Sequence, residues 1–165
     1  MLVHTDGREY YMNKYKVNYT DTATKEITKT LFLQADNIRQ ARETANSADN
    51  LPENCYCKVY CILDTPEAII EASTEIVKRT TANMISREGG EIQYRLYNAI
   101  RQPHPTDPDI MDCLSVVNLA LWENRQEETE TAYRTAYHAL NKHLYDSRQI
   151  KLSVTAMRTV YIEDI

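Results

Sequence analysis

The chain has 165 residues, of which 26% are charged and 42% are hydrophobic, and its formal net charge is −5. This length suits one ordinary domain or two small ones, and the composition is that of a globular protein rather than a disordered chain. The acidic balance argues against a general nucleic-acid binder, because neutralising phosphates takes a basic excess, so any contact with nucleic acid would have to be local.

Targeting signals are missing from the sequence. No apolar run approaches the ~20 residues that a membrane helix needs, and the first eleven residues have no signal-peptide core. Three of the four cysteines, Cys55, Cys57 and Cys61, lie within seven residues, which is unlike the disulfide framework of a secreted domain. We therefore expect a cytoplasmic protein.

The N-terminal part of the chain predicts strands around one short helix. Residues 1–9 are expected to be a flexible start. Alternating side chains over Tyr10–Tyr19 and Ile27–Leu33, with a polar turn between, predict a β-hairpin. Asp36 can cap a helix that runs to about Ala48, and Cys55–Leu63 alternates again as a strand.

The remainder of the chain predicts helices. Thr65-Pro66-Glu67 is a strong helix start, because a capping residue is followed by proline in the first turn and by an acidic residue. The four expected helices cover about residues 65–86, 91–101, 106–124 and 129–145. The tail after Gln149 is ambiguous, since its alternating apolar residues also fit a strand or an extended segment.

These elements predict an α+β protein with two parts. Residues 1–64 should form a small ββαβ unit, and residues 65–165 a domain built as a bundle of about four helices. Charge divides unevenly between the parts: eight basic against nine acidic residues in the first, and eleven against fifteen in the second. The helical part is therefore the acidic part.

The cysteine row is the first candidate for chemistry. Thiolates bind zinc as tetrahedral sets, but Cys55 and Cys57 on one face of a strand would be ~7 Å apart along it. Small buried residues are the simpler interpretation of the row, because free cysteine packs like an apolar side chain. A small zinc-binding protein or enzyme is kept as an alternative.

Other patterns typical of catalysis are weak. His138 and His143 do not share a helical face well, and Asp109 and Asp112 lie where the helix dipole favours acidic residues without any function. The chain has three glycines and no phosphate-binding loop. We therefore expect no enzyme activity and no cofactor.

The stretch Asp109–Leu144 resembles the conserved core of bacterial sigma factors, the helices of region 2. In that family a helix ending in Leu-Trp-Glu precedes an aromatic and basic helix. The matching residues here are Asp109, Asp112, Val117, Leu119, Leu121, Trp122 and Glu123, followed by Tyr133, Tyr137 and Lys142. Counting the helices upstream, the resemblance spans about residues 69–145.

The resemblance implies a set of binding residues on the last helix. In sigma factors this helix melts the promoter and reads its non-template strand. The corresponding residues here, expected to bind nucleic acid or a partner, are Tyr133, Arg134, Tyr137, His138 and Lys142. Bases stack readily on aromatic side chains. The last 41 residues nevertheless hold six basic against six acidic residues, which gives no basic surplus.

Helices of this kind joined to a small sheet unit are similar to accessory proteins of bacteriophages and conjugative elements, which regulate transcription or inhibit host machinery, including CRISPR nucleases. The leading prediction is a non-catalytic protein of a mobile element that binds a nucleic-acid-processing machine, for example an anti-CRISPR-type inhibitor. Its acidic helical part could meet a basic channel of that partner. The main alternative is a DNA-binding transcriptional regulator related to sigma factors.

Overall fold

The computed structural model describes residues 2–5, 8–87 and 89–163, with side chains described for residues 12–87 and 89–147. The order of elements is β1 (Leu2–Thr5), β2 (Arg8–Tyr11), β3 (Asn13–Asp21), β4 (Ile27–Ala35), α1 (Ile38–Ala45), β5 (Cys55–Cys61), α2 (Pro66–Arg87), α3 (Glu91–Ile100), α4 (Pro108–Glu123) and α5 (Thr129–Glu163). The predicted α+β class, a ββαβ unit followed by helices, is confirmed. No helix in the described ranges is long and apolar enough to cross a membrane.

The start of the chain differs from the prediction. Strands β1 and β2 pair antiparallel, so the expectation of a flexible start over residues 1–9 is wrong for the part that is described. The sequence Asp6-Gly7 between the two strands is of the type that favours tight hairpins. The expected strand from Tyr10 is also divided, because β2 ends at Tyr11 and β3 begins at Asn13.

The main sheet has three antiparallel strands in the order β4-β3-β5. On the central strand, Tyr15, Val17 and Tyr19 are fully buried, and Val17 lies opposite Leu31 on one side and Val59 on the other. Alternate residues of a strand point to one face, so this face carries the sheet's share of the core. The predicted hairpin and third strand are thereby confirmed.

Helix α1 packs on the buried face of the sheet through Ala41 and Ala45. Its cap is Asn37 rather than the predicted Asp36, because the Asn37 side chain accepts from the backbone N–H of Gln40 at 2.9 Å. The Gln40 side chain reaches back to the Asp36 N–H at 2.7 Å, which makes a reciprocal capping arrangement. The helix ends at Ala45, three residues earlier than expected.

The later helices begin at the predicted signals. The Thr65 hydroxyl accepts from the Ala68 N–H at 3.1 Å ahead of α2, and the Asp107 carboxylate accepts from the Asp109 N–H at 2.9 Å ahead of α4. Helix α5 continues through the tail, which the sequence left ambiguous, to Glu163, so this segment is helical. The sequence of α5 contains neither glycine nor proline, so nothing in it stops a helix.

Carboxylates on the helices fasten them to the sheet unit. Glu71 of α2 accepts hydrogen bonds from the Tyr15 hydroxyl at 2.6 Å, from the Ile38 N–H at 2.7 Å and from the Asn13 amide. Glu75, one turn later, pairs with Arg42 of α1. One hydrophobic cluster runs from the sheet into the helices, and the predicted boundary after residue 64 falls in the short connection between β5 and α2.

Candidate binding surface

The five residues predicted to bind a partner lie on two different faces of α5. Tyr133 and Tyr137 point inward, whereas Arg134, His138 and Lys142 are exposed. The division follows from helix geometry, because positions four apart share a face while neighbours in sequence do not. The structure therefore does not bring the five together into one surface.

Tyr133 is part of the core. Its ring is 4% exposed and meets the ring of Tyr60 edge to face, with centroids 5.2 Å apart. Its hydroxyl oxygen accepts from the backbone N–H of Cys61 at 2.9 Å, so α5 closes the edge of strand β5. Burial raises the pKa of the Tyr133 hydroxyl well above its ordinary value. Its ring does not lie at the surface, where an incoming base could stack.

Tyr137 lies one turn further along and is partly buried. Burial, reinforced by the negative charge of Glu75, raises the pKa of Tyr137 to about 12. The side chain is thus neutral at physiological pH and belongs to the contact between α5 and α2.

The exposed members form a row that we name the α5 basic row: Arg134, His138 and Lys142. They follow each other at four-residue spacing, so they share one side of the helix. Among the residues whose side chains are described, none of the three takes part in an ion pair. The positive charges of Arg134 and Lys142 are therefore open to an incoming anion.

A second surface was not predicted from the sequence. On α4, Met111 is 46% exposed, Leu119 58% and Trp122 48%, and the three share one side of the helix. We name them the α4 apolar row. The inward face of the same helix carries Ile110, Val117 and Leu121, which are buried. Helix α4 therefore has apolar side chains on two faces, and only one of them meets the core.

Charged groups border the α4 apolar row. Asp112 and Glu123 are exposed along one side of it. The guanidinium of Arg125 stacks on the Trp122 ring at 3.9 Å from the centroid and donates to the Trp122 carbonyl at 2.7 Å, which holds the indole in place. The result is a fixed aromatic ring beside a mainly acidic border.

Exposed apolar surface continues towards α2. The Ser73 hydroxyl of α2 bonds the Asn118 side chain of α4, which brings these parts of the two helices side by side. Ile70, one turn before Ser73, is 59% exposed. The feature in the sequence that could have revealed this surface is that apolar residues of α4 recur on more than one side of the helix, which a helix with one solvated face does not need.

The cysteines are buried or half-buried along β5 and within α4, and all four are free. Burial raises the pKa of the Cys57 and Cys61 thiols, with Glu71 adding to the effect at Cys61, and burial raises the pKa of Cys113 to about 11. Protonated thiols are poor metal ligands. In the described part of the chain, no group of three His, Cys, Asp or Glu side chains is placed to hold a metal ion.

The acidic cluster at the start of α4 has a structural role. Asp107 caps the helix, and Asp109 forms an ion pair with Arg95 of α3.

Comparison of the chain with protein-family models, with curated proteins and with solved structures gives no match. The two exposed rows, on α4 and on α5, are the candidate binding surfaces for a macromolecular partner.

Proposed function

We propose that this is a non-catalytic, cytoplasmic binding protein of a bacteriophage or other mobile element that engages a protein component of a host nucleic-acid-processing machine. An anti-CRISPR-type inhibitor is one concrete form of this function. The α4 apolar row is the observation that supports the proposal most, because fixed aromatic and aliphatic side chains with an acidic border are typical of a protein-binding surface.

The energetics of the row favour a protein partner. Burying a large apolar side chain such as Leu119 or Met111 yields roughly 1.5–3 kcal/mol, and tryptophan is among the residues that most often dominate binding energy. Asp112 and Glu123 beside the row would steer it towards a basic surface. Machines that process nucleic acids carry such surfaces where they hold phosphates.

The resemblance to sigma factors falls on the same elements. The similar stretch covers α4 and the first part of α5, and Leu119 and Trp122 are among its matching residues. We propose that the chain shares the helical arrangement of that core and uses it to hold a partner. Asp107 has a structural role, because it caps α4. Burial raises the pKa of the Cys61 thiol, which keeps this side chain in its neutral form within the core.

The test is an affinity pull-down from bacterial lysate, with and without nuclease, read by mass spectrometry. We expect a stoichiometric protein partner that survives nuclease and is lost at least about tenfold with the double variant Leu119→Ala/Trp122→Ala. The matched control is Phe32→Ala, which removes an apolar side chain that is 66% exposed on the sheet. Equal capture by the α4 double variant and the wild type would overturn the proposal.

A second candidate is direct DNA binding by a transcriptional regulator, and the α5 basic row favours it. Arg134 and Lys142 are cations without an ion pair among the described side chains, and they lie with His138 on one side of a helix. In the pull-down this function gives partners that disappear with nuclease and leave DNA or RNA as the common link.

A further inference from the structure

A cleft of about 320 Å³ lies between the second half of α2 and the middle of α5. We name it the α2/α5 cleft. Its polar and aromatic lining comes from Thr80, Asn83 and Arg87 of α2 and from Tyr137, Asn141 and Tyr145 of α5. Its volume is at the lower end of the ~300–1,000 Å³ typical of small-ligand sites.

Thr80, which lines the cleft, has a buried hydroxyl group without a hydrogen-bond partner among the described residues. The residue as a whole is 5% exposed. Two other buried hydroxyls of α2 behave differently: Ser73 donates to the Ile69 carbonyl at 2.8 Å, and Thr81 donates to the Val77 carbonyl at 3.0 Å. Buried polar groups are normally paired. The Thr80 hydroxyl oxygen is itself enclosed, so a rotation of this side chain towards the cleft would bring it to a partner on a ligand.

The charge of the residues that line the cleft favours a negatively charged ligand. Arg87 is the only charged residue along the cleft as described, and no carboxylate lines it, although the chain as a whole carries a net charge of −5. A guanidinium binds carboxylate and phosphate oxygens through several donors at once. The Arg87 end of the cleft is therefore suited to an anionic group.

The rest of the lining suits a flat ring with polar edges. Tyr137 and Tyr145 present aromatic rings, and Tyr145 is exposed at the rim. Asn83 and Asn141 each offer two donors and an acceptor, which is the mixture needed to bond the edge of a heterocycle. Aromatic rings stack on nucleobases of any identity, because every base has a π-face.

We propose that the α2/α5 cleft binds one nucleoside monophosphate. Its phosphate pairs with Arg87, its base lies against the tyrosine rings, and a ligand oxygen or nitrogen bonds the Thr80 hydroxyl after a rotation of that side chain. This site is independent of the α4 apolar row, so it stands or falls apart from the proposed partner-binding function.

The test is an NMR titration of the full chain with AMP, followed in amide spectra. Shifts should concentrate on the amide signals of Thr80, Asn83, Asn141 and Tyr145, and adenosine and inorganic phosphate should each bind at least about tenfold more weakly than AMP. A titration to ~10 mM AMP that leaves the cleft signals unmoved would overturn the proposal, because that concentration covers weak specific sites.

Two variants separate the site from its surroundings. Arg87→Gln should weaken AMP binding about tenfold, whereas Arg39→Gln, which makes the same charge change on exposed α1, should leave it unchanged. Thr80→Val should weaken AMP binding without lowering the thermal midpoint of the free protein, since no hydrogen bond is lost. Equal AMP affinity of the Arg87 and Arg39 variants would contradict the phosphate assignment, and wild-type affinity of Thr80→Val would contradict the hydroxyl contact.

Discussion

Tyr133 shows how one side chain can serve two contacts at once. Its ring fills a position between α5 and the sheet against Tyr60, and its hydroxyl accepts the Cys61 N–H at the edge of β5. That N–H points away from β3, because the next residue, Ile62, is the one that bonds Lys14 of β3. Without the hydroxyl, the edge of the sheet would carry a buried and unpaired donor.

The change Tyr133→Phe isolates this hydrogen bond. We expect it to lower the free energy of unfolding by about 1–3 kcal/mol, since the Cys61 N–H stays buried without an acceptor. Urea unfolding measures the loss, and Tyr145→Phe, at an exposed position of the same helix, serves as the control. If Tyr133→Phe unfolded at the same urea concentration as the wild type, the hydroxyl would not contribute to the stability of the fold.

At the scale of elements, the sequence reveals most where a local signal decides the structure. The starts of α2 and α4 were predictable because Thr65 and Asp107 are capping residues followed by proline. The three strands of the sheet were predictable from alternation. The prediction of Asp36 as the cap of α1 was wrong by one position. Asn37 is an equally good capping residue, and only the backbone geometry decides between the two.

What the sequence does not reveal depends on contacts between elements. Periodicity distinguished the inward face of α4, but the exposure of Leu119 and Trp122 depends on whether another element covers them, which no local pattern states. In the same way, the resemblance to sigma factors implied Tyr133 as a binding residue, whereas its burial follows from how α5 packs on the sheet. The full length of α5 could not be predicted, because the alternating apolar residues of the tail fit a strand as well as a helix.

The α5 basic row gives a prediction at this scale. If the protein binds DNA directly, Arg134→Glu with Lys142→Glu should weaken binding at least about tenfold and flatten its dependence on salt, because fewer phosphates are neutralised. Fluorescence anisotropy with a labelled single strand and a labelled duplex measures both effects. The control is Arg39→Glu with Lys58→Glu, which makes the same charge change at exposed positions elsewhere. If the control lost as much DNA affinity as the α5 variant, the effect would come from net charge alone and not from the α5 basic row.

At the scale of the whole molecule, the sheet unit and the helices are joined by buried or half-buried carboxylates. Glu71 and Glu75 of α2 hold β3 and α1, and Glu130 at the start of α5 holds β3 from the other face of the sheet. Acceptors placed on the helices therefore meet donors placed on the sheet unit. At Glu130 this arrangement makes the association of the two parts sensitive to protonation of the carboxylate.

The Glu130 contact allows the sign of that sensitivity to be worked out. Burial alone would raise the pKa of Glu130, but the hydrogen bonds that Lys16 and Asn18 donate to it outweigh burial, so its pKa lies below the ordinary 4.5. The Lys16 ammonium lies 2.9 Å from the Glu130 carboxylate. A depressed pKa in the folded state means that the contact stabilises the protein above the unfolded value and that this stabilisation is lost as pH falls through the folded value.

The prediction compares wild type and Glu130→Gln in urea unfolding at a series of pH values. The wild type should be the more stable at neutral pH, and the difference should shrink as pH falls from the ordinary value of 4.5 through the lower folded value. Glu53→Gln, at an exposed position in the loop before β5, should show no comparable trend. A difference between wild type and Glu130→Gln that stayed constant down to acid pH would mean that the charge of Glu130 does not join α5 to the sheet, and that packing around Tyr133 alone holds the two together.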